Sequence, residues 1–441
     1  MKLQDKLNGL DLYPFHMPGH KRNKKFNIIG SEIDITEITG FDNLHNPEGI
    51  LLDLQNRYQK LYHSEKSILS VNGSTACILS AISAVCSSGD TVIIARNCHK
   101  SVYNACFINR LKVKYIVPDY DEEFNCFVKI TQDKVDKAVR ENPDAKAIVI
   151  TSPTYEGVVS TIKADIPVIL DAAHGAHFGL YRDFPDFQRG DIVIHSLHKT
   201  LPCLTSSAVV NIYNKKYTDS VGQYMDIFET SSPSYILLAA IEKCADYLES
   251  EDAEKDFYAL CSRLEAFRKK AKRLENIKIF ENDDISRLSI KANNLSGYAL
   301  GELLREQYKI EAEMCSQNYV TLICTAGDTK EGFDRLYAAL EAIGKAQCSA
   351  EKNNRSESCA YSPALSEARC QVWEVEKTEP CCVDGSEGKI CGEYIYQYPP
   401  GIPIIVPGEI INERIISSIR YSGNRFISDS KLLPNKILTK M

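Results

Sequence analysis

The segment Asp191-Ile-Val-Ile-His-Ser-Leu-His-Lys-Thr200 decides how the rest of this chain is interpreted. Its short apolar run, residues 192–194, passes directly into polar residues that end in Lys199 and Thr200. Such a run favours a buried strand whose end opens into a pocket. A lysine in that position can lose its proton near neutral pH, through partial desolvation or nearby positive charge, and attack a carbonyl. The alternative is a surface lysine after a buried strand, so the remaining sequence has to decide.

Apolar runs of similar length recur along the chain and alternate with helical patterns. Continuous apolar strands separated by helices indicate a mainly parallel sheet covered on both faces. In such sheets ligands bind beyond the carboxyl ends of the strands. The sequence therefore predicts an α/β fold with its site at that edge. The predicted strands are residues 67–71, 91–95, 114–117, 147–150, 167–171, 191–194 and 208–212, and the predicted helices among them are 51–63, 76–87, 99–109 and 131–141.

Four parts are predicted along the chain. Residues 1–48 are rich in turns and lack apolar periodicity, which is typical of an arm, either solvated or folded over an active site. Residues 49–275 carry the alternating pattern of a large domain. Residues 276–345 read strand, helix, strand, helix, which predicts a small α/β domain. Residues 346–441 form a C-terminal region in which Tyr398-Pro-Pro-Gly-Ile-Pro403 predicts a rigid turn.

Composition narrows the class of protein. The chain has 441 residues and a net charge of −7, which argues against nucleic acid as its main partner. No apolar run approaches the length of a membrane span, and the start MKLQDKLNGL does not resemble a signal peptide, so a cytoplasmic location without membrane partners is expected. The sixteen cysteines are scattered and form no Cys-x-x-Cys pair, so no metal site is predicted.

Four further positions carry the groups that a pyridoxal 5′-phosphate (PLP) enzyme needs beside its lysine. Gly73-Ser-Thr75 lies between a strand and a helix, where free amides and the helix dipole favour an anion, although such a sequence is commonly only a helix cap. Asp171 ends a buried strand and could keep a pyridine nitrogen protonated, or could be a capping aspartate. His99 could stack on a ring or could simply begin a helix, and Ser196 could add a hydroxyl to the phosphate.

The order of these motifs resembles fold-type I PLP enzymes, which have the aspartate aminotransferase-like fold. The closer resemblance is to the ornithine/lysine/arginine decarboxylase family, particularly its shorter biosynthetic members. This resemblance covers nearly the whole chain, to about Glu409. It does not include the receiver-like N-terminal domain that the long degradative members carry. The stretches that carry it are His16-Met-Pro-Gly-His-Lys21, Thr39-Gly-Phe-Asp-Asn-Leu-His-Asn-Pro-Glu-Gly49, Asn72-Gly-Ser-Thr75, Arg96-Asn-Cys-His-Lys-Ser101, Ser152-Pro-Thr-Tyr-Glu-Gly157, Asp171-Ala-Ala-His-Gly-Ala-His177, Ser196-Leu-His-Lys-Thr200, Thr230-Ser-Ser-Pro-Ser-Tyr235 and Tyr398-Pro-Pro-Gly-Ile-Pro403.

The resemblance implies a role for each matching position. Lys199 would hold PLP as a Schiff base, Asp171 would pair with the pyridine nitrogen, and His99 would stack on the ring. His198 would sit beside the cofactor and help to protonate the carbanion. The positions implied for binding the phosphate are Gly73, Ser74, Thr75 and Ser196.

Two more positions follow from the resemblance. His174 would contact the cofactor, at a position where the larger degradative members tend to carry tryptophan. In this family a hydroxyl from the partner subunit completes the phosphate site, and Ser231 is the matching residue. The resemblance therefore implies a homodimer, or a higher homo-oligomer, as the active form.

The implied reaction is decarboxylation of arginine, lysine or ornithine to agmatine, cadaverine or putrescine. The same fold also supports aminotransferases and lyases, and a family member with weak or lost activity is a further alternative. The distal cation of a dibasic substrate needs a carboxylate partner, for which Asp42, Glu48 and Glu393 are candidates that the sequence does not rank.

Overall fold

The computed structural model describes residues 2–349, 366–422 and 425–441, so residues 350–365 of the predicted C-terminal region lie outside the described residues. The helices are α1 (Leu3–Asn8), α2 (Ile50–Tyr62), α3 (Gly73–Val85), α4 (Lys100–Ile108), α5 (Gln132–Glu141), α6 (Leu197–Thr200), α7 (Thr218–Phe228), α8 (Tyr235–Leu248), α9 (Glu251–Ala271), α10 (Gly297–Tyr308), α11 (Lys330–Ser349) and α12 (Glu413–Ser422). The strands are β1 (Lys66–Ser70), β2 (Thr91–Ala95), β3 (Lys112–Ile116), β4 (Tyr120–Asp121), β5 (Cys126–Phe127), β6 (Ala145–Thr151), β7 (Val168–Asp171), β8 (Ile192–Ser196), β9 (Ala208–Ile212), β10 (Ile277–Ile279), β11 (Arg287–Ala292), β12 (Met314–Cys315), β13 (Val320–Ile323), β14 (Thr378–Cys382), β15 (Ile395–Gln397), β16 (Ile402–Ile405), β17 (Phe426–Ser428) and β18 (Lys436–Lys440).

Internal contacts divide the chain into two compact units. The first consists of Met1–Val85, Pro167–Leu260 and Thr325–Gly327, and the second of Cys86–Ile166, Cys261–Cys324 and Asp328–Met441. The division into four parts made from the sequence stays a prediction. No helix among the described residues is both long enough and apolar enough to cross a lipid bilayer.

In the first unit, β1, β9, β8 and β7 lie side by side in that order. β7 and β8 are parallel, whereas β9 runs antiparallel to both β8 and β1. The reversal at β9 has a simple cause, because only residues 197–207 connect it to β8. A parallel crossover requires about a dozen residues or more, usually with a full helix, so this short connection returns the chain in the opposite direction.

The second unit contains the parallel strands β6, β2 and β3, in that order. It also contains an antiparallel sheet, β10-β11-β13-β12, with α10 and α11 following β11 and β13 along the chain. The sequence predicted β11 and β13 but missed β10 and β12, which are too short to give a periodic pattern. The C-terminal residues pack β15 and β16 around an apolar cluster that includes Ile395, Ile405, Ile415 and Ile437.

The α/β prediction is confirmed, and the predicted strands fall within two residues of the observed ones over most of their length. The most informative difference lies in β8, which runs on to Ser196 instead of ending at residue 194. His195 explains this extension, since it is buried on the strand, stacks on Tyr62 with 4.6 Å between ring centroids, and accepts a hydrogen bond at Nδ1 from the Asn211 side chain at 3.0 Å. A histidine with such partners continues a buried strand as an apolar residue would.

His195 gives the first prediction, which concerns acid stability. Burial, followed by the charge of His177, lowers the pKa of His195 from 6.5 to about 3. The unfolded chain therefore binds the extra proton first, and stability from this group is lost as the pH falls from 6.5 towards about 3, by at most about 1.4 kcal/mol per pH unit. His195→Gln removes the titrating group, so its urea midpoint should fall less between about pH 7 and about pH 5 than that of the parent. Equal pH dependence in both proteins would contradict the assignment.

Candidate active site

The carboxyl ends of three strands in the first unit meet at one edge. Ser70, the last residue of β1, pairs with Ala208, and Ala208 pairs on its other side with Ser196, the last residue of β8. β7 is parallel to β8, with Asp171 opposite Ile194, so its end lies at the same edge. Residues that follow these strands are thereby brought together, as the alternating sequence pattern predicted.

The segment after β1 forms a cradle suited to an anion. α3 begins at Gly73, which has a φ of +72° that favours glycine, and no acidic residue occupies its first turn. The first amides of a helix lack internal partners and carry its positive dipole end. The Ser196 hydroxyl donates to the Ser74 hydroxyl at 2.9 Å, so two hydroxyls from different elements converge there, with Thr75 exposed beside them. These groups suit a phosphate.

Lys199 lies in α6, a single helical turn that starts immediately after β8. Its Nζ is 3.0 Å from Nε2 of His174, in the loop that follows β7. Asp171 is 3% exposed at the end of β7, and its Oδ1 accepts the Ala173 amide at 3.2 Å. The lysine, the imidazole and the carboxylate therefore all come from the ends of two adjacent strands.

His198 donates a hydrogen bond to a backbone carbonyl in a setting that favours its neutral form. Its Nδ1 lies 3.0 Å from the carbonyl oxygen of Ser207, which can only accept, so the proton is on Nδ1 and Nε2 is the basic nitrogen. Burial lowers the pKa of His198, the hydrogen bond to Ser207 partly opposes this, and the charge of Lys199 lowers it further. Together these effects favour the neutral form of the ring.

Ser231 and His99, two further predicted site residues, do not follow β1, β7 or β8 along the chain. Ser231 is exposed in the loop between α7 and α8. His99, in the second unit, is the N-cap of α4, and its Nδ1 accepts the Ser101 amide at 3.2 Å. A Cβ on Gly401 would lie 2.9 Å from Nε2 of His99, so the predicted Pro-Pro-Gly turn packs against this ring.

Of the candidate partners for a substrate cation, Asp42 is fully engaged elsewhere. Burial works to raise its pKa, but four backbone amides lower that pKa overall. A carboxylate has about four acceptor positions, so Asp42 serves the loop and not a ligand. The amides lie 2.8–2.9 Å from its oxygens and belong to Asn43, Glu48, Gly49 and Leu51.

Glu393 is likewise engaged within the protein. It is 2% exposed and accepts the amides of Leu438 at 2.7 Å and Ser430 at 2.9 Å, so it fixes the C-terminal strands. Glu48 is exposed, and within the described part of the chain its carboxylate accepts a hydrogen bond only from the Asn46 side-chain amide, at 3.0 Å. Glu48 is thus the remaining candidate of the three.

The sequence analysis missed Ser70 and Glu229, whose hydrogen bond holds the end of β1 just before the cradle. Ser70 donates to Glu229 at 2.5 Å across 159 positions of sequence. Ser70 looked like the end of an ordinary strand, and Glu229 directly precedes the Thr230-Ser-Ser-Pro stretch that was singled out. Its position next to this motif is the sequence feature that could have drawn attention to Glu229.

Solved structures first define the class of fold. Over its whole length the chain matches a lysine decarboxylase of Francisella novicida, covering 81% of that chain, with a TM-score of 0.85 and 16% identity. The match to the constitutive lysine decarboxylase of E. coli has a TM-score of 0.82, also at 16% identity, and covers 100% of this chain and 81% of that one. An SPT chain solved with PLP matches at a TM-score of 0.54 and 16% identity, over 67% of this chain and 76% of that one. The fold is that of fold-type I PLP enzymes.

The chain belongs to the Orn/Lys/Arg decarboxylase family. The family's major domain matches residues 10–291, and its C-terminal domain matches residues 350–425. The arginine decarboxylase of Bacillus subtilis is 31% identical over 92% of this chain and 89% of its own length. That of Bacillus anthracis is 29% identical over the same shares, and the constitutive lysine decarboxylase of Escherichia coli is 23% identical over 59% of this chain and 42% of its own.

The residues of the first unit fit the cofactor of this family. PLP presents a phosphate, an aldehyde and a basic pyridine nitrogen, and this edge offers an anion cradle, a lysine amine and a buried carboxylate. The buried polar side chains at this edge, Asp171, His174 and Ser196, are each at most 6% exposed. Burying such groups is costly, which is expected where they serve a ligand.

The engaged carboxylate of Asp42 gives the second prediction. Asp42→Ala leaves backbone amides without acceptors and should lower the free energy of unfolding by about 2 kcal/mol. Glu48→Ala, in the same loop but exposed, should change it by less than about 0.5 kcal/mol. Urea unfolding of both variants checks this, and similar stability of the two would show that Asp42 is not structural.

Proposed function

We propose that this chain decarboxylates arginine to agmatine with PLP bound at Lys199. Membership of the family makes it a PLP-dependent decarboxylase of a dibasic amino acid. The choice of arginine is supported by sequence alignment, in which relatives named arginine decarboxylase cover about nine tenths of the chain and the relative named constitutive lysine decarboxylase covers 59% of it. The observation that carries the site is the convergence of Lys199, Asp171 and the Gly73–Thr75 segment at one edge of three strands.

PLP, when bound, supplies an electron sink for the pair of electrons left as the bond between Cα and the carboxylate breaks. Asp171 keeps a proton on the pyridine nitrogen, which its burial at the end of β7 favours because the opposite charges then pair in a low dielectric. Ser74, Thr75 and Ser196 bind the phosphate together with the first amides of α3. His99 covers one face of the ring, an assignment that rests on the family motif.

Lys199 and the two histidines beside it handle amines and protons. Lys199 would hold the cofactor through its amine. His174, at 3.0 Å from Nζ, orients the released amine and exchanges a proton with it. His198 keeps its proton on Nδ1, so its Nε2 is the nitrogen that would first take up a proton and then pass it towards Cα after carbon dioxide leaves.

The active form we propose is a homodimer in the cytoplasm. Ser231 is exposed in the loop between α7 and α8, as a hydroxyl that serves a partner subunit must be. The resemblance assigns it to the phosphate site of the partner. A cytoplasmic location stays a prediction.

The substrate proposal is tested by measuring amine release from arginine, lysine and ornithine side by side with saturating PLP. We expect agmatine formation with kcat/KM at least about tenfold above that of cadaverine or putrescine, which corresponds to about 1.4 kcal/mol of discrimination. Preferred formation of another amine would contradict the choice of arginine. Keto-acid formation without carbon dioxide would contradict the reaction class.

The lysine assignment is the third prediction. Lys199→Ala should reduce carbon dioxide release by at least about 100-fold and abolish the visible absorption band of enzyme-bound PLP. Lys216→Ala removes an exposed lysine of the same unit and serves as the control, with activity and spectrum unchanged. A Lys199→Ala protein that retains the band would show that another lysine holds the cofactor.

A further inference from the structure

Glu229 fixes the backbone that enters the phosphate cradle. It is 8% exposed, and its Oε2 accepts the Ser70 hydroxyl at 2.5 Å and the Val71 amide at 3.3 Å. Ser70 is the last residue of β1 and Val71 is the first residue after it, and only Asn72 separates them from Gly73, where α3 begins. Hydrogen bonds to a buried carboxylate are stronger than those between neutral groups, so this attachment restrains the cradle well.

The Ser70 hydroxyl extends the attachment towards the cradle. It accepts the Asn72 amide at 3.1 Å, and it lies 3.3 Å from the carbonyl oxygen of Gly73. A hydroxyl has one proton, which the shorter contact to Glu229 takes. The Asn72 side chain donates to the carbonyl oxygen of Phe228 at 3.3 Å, which ties the same turn to the end of α7 a second time.

The other carboxylate oxygen faces the loop that carries Ser231. Oε1 of Glu229 accepts the Thr230 amide at 3.2 Å. The carbonyl oxygen of Thr230 accepts Nε2 of His45 at 2.8 Å, and Nδ1 of the same ring lies 2.9 Å from Asp226. The backbone on both sides of Thr230 is therefore held, one residue before Ser231.

A carboxylate at this place needs an explanation, because a negative charge near a phosphate weakens its binding. The explanation is the number of acceptors. Glu229 accepts from Ser70, Val71 and Thr230 with two oxygens, and a glutamine would have to present an amide nitrogen, which cannot accept, to one of these donors. Glu229 therefore acts by fixing the geometry of two segments, the one at Ser70 and Val71 and the one at Thr230.

We infer that Glu229 is a positioning residue for two phosphate sites, the cradle of its own subunit and, through Ser231, the phosphate site of the partner. The inference rests on the proposed function, in which PLP occupies the cradle and Ser231 serves the partner. It goes beyond that function by assigning a role to a residue that touches no phosphate. It also links the geometry of the cradle in one subunit to the affinity of the partner's site for the phosphate.

The test compares two ligands that differ only in the phosphate. The full-length protein is freed of cofactor and titrated with PLP and with pyridoxal, and the binding of each is followed by absorbance. Glu229→Gln should weaken PLP binding by about tenfold or more, the size expected for a lost hydrogen bond to a charged group. Pyridoxal has no phosphate to misplace, so its affinity should change by less than about twofold.

Glu242→Gln is the matched control. Glu242 is a 4% exposed glutamate of the same unit, and its oxygens accept the amides of Leu3 at 2.8 Å and Gln4 at 3.2 Å. It is buried and engaged by backbone amides like Glu229, but it holds the start of α1 and not the cradle. The ratio of PLP to pyridoxal affinity should stay at the parent value.

Ser70→Ala keeps the test informative if Glu229→Gln does not fold. It removes one donor and should lower PLP affinity selectively, by a smaller factor. Equal losses for both ligands in these variants, or an unchanged ratio in Ser70→Ala, would overturn the inference. A parent protein that binds no PLP would instead overturn the proposed function, so the two failures are distinguishable.

The second site is tested in a Ser231→Ala background. If Glu229 acts partly through Ser231, Glu229→Gln should weaken PLP binding by a smaller factor there than in the parent, because one of the two segments has already lost its hydroxyl. The same factor in both backgrounds would restrict Glu229 to the cradle of its own subunit and contradict the two-site role.

Discussion

The pairing of β9 with both β1 and β8 is the constraint on which the site depends. Ala208 pairs with Ser70 on one side and with Ser196 on the other, so β1 and β8 end at the same level of the sheet. This brings Ser196 to Ser74, which lies 122 positions earlier in the sequence. The strands involved are almost completely buried. A slip of one residue would turn every side chain to the opposite face and separate Asn211 from its buried partners Ser67 and His195, so these contacts fix the register and the register fixes the site.

The cradle and the lysine proposed for the first unit each lie only a few residues after one of these strand ends. The cradle begins three residues after β1, and Lys199 follows β8 by three residues. The single turn of α6 aims the lysine back towards the loop after β7, where His174 meets it. Catalytic groups on strand ends are held by the rigid sheet, which is how an enzyme keeps the reacting groups aligned without reorganisation.

The sequence was sufficient for the strands, because these depend on a local pattern of apolar runs. It also offered an anion cradle, from a glycine before a helix, and a cofactor lysine, from a polar cluster after a strand, and these two assignments stay predictions. It did not reveal that Glu229 supports Ser70, because that contact joins distant residues and leaves no periodic trace. It also offered Asp42 and Glu393 as ligands for a cation. The sequence does not show whether a carboxylate accepts backbone amides or faces a pocket. The fold shows that Asp42 and Glu393 accept backbone amides.

The central claim is that the amine of Lys199 holds the cofactor at the edge defined by β1, β7 and β8. The most direct measurement is reduction of the PLP-loaded protein with borohydride, followed by proteolysis and mass spectrometry of the peptides. The account predicts a reduced, covalently attached pyridoxyl group on the peptide that contains Lys199. Attachment to a different lysine, or no attachment in a protein that is active with PLP, would contradict it.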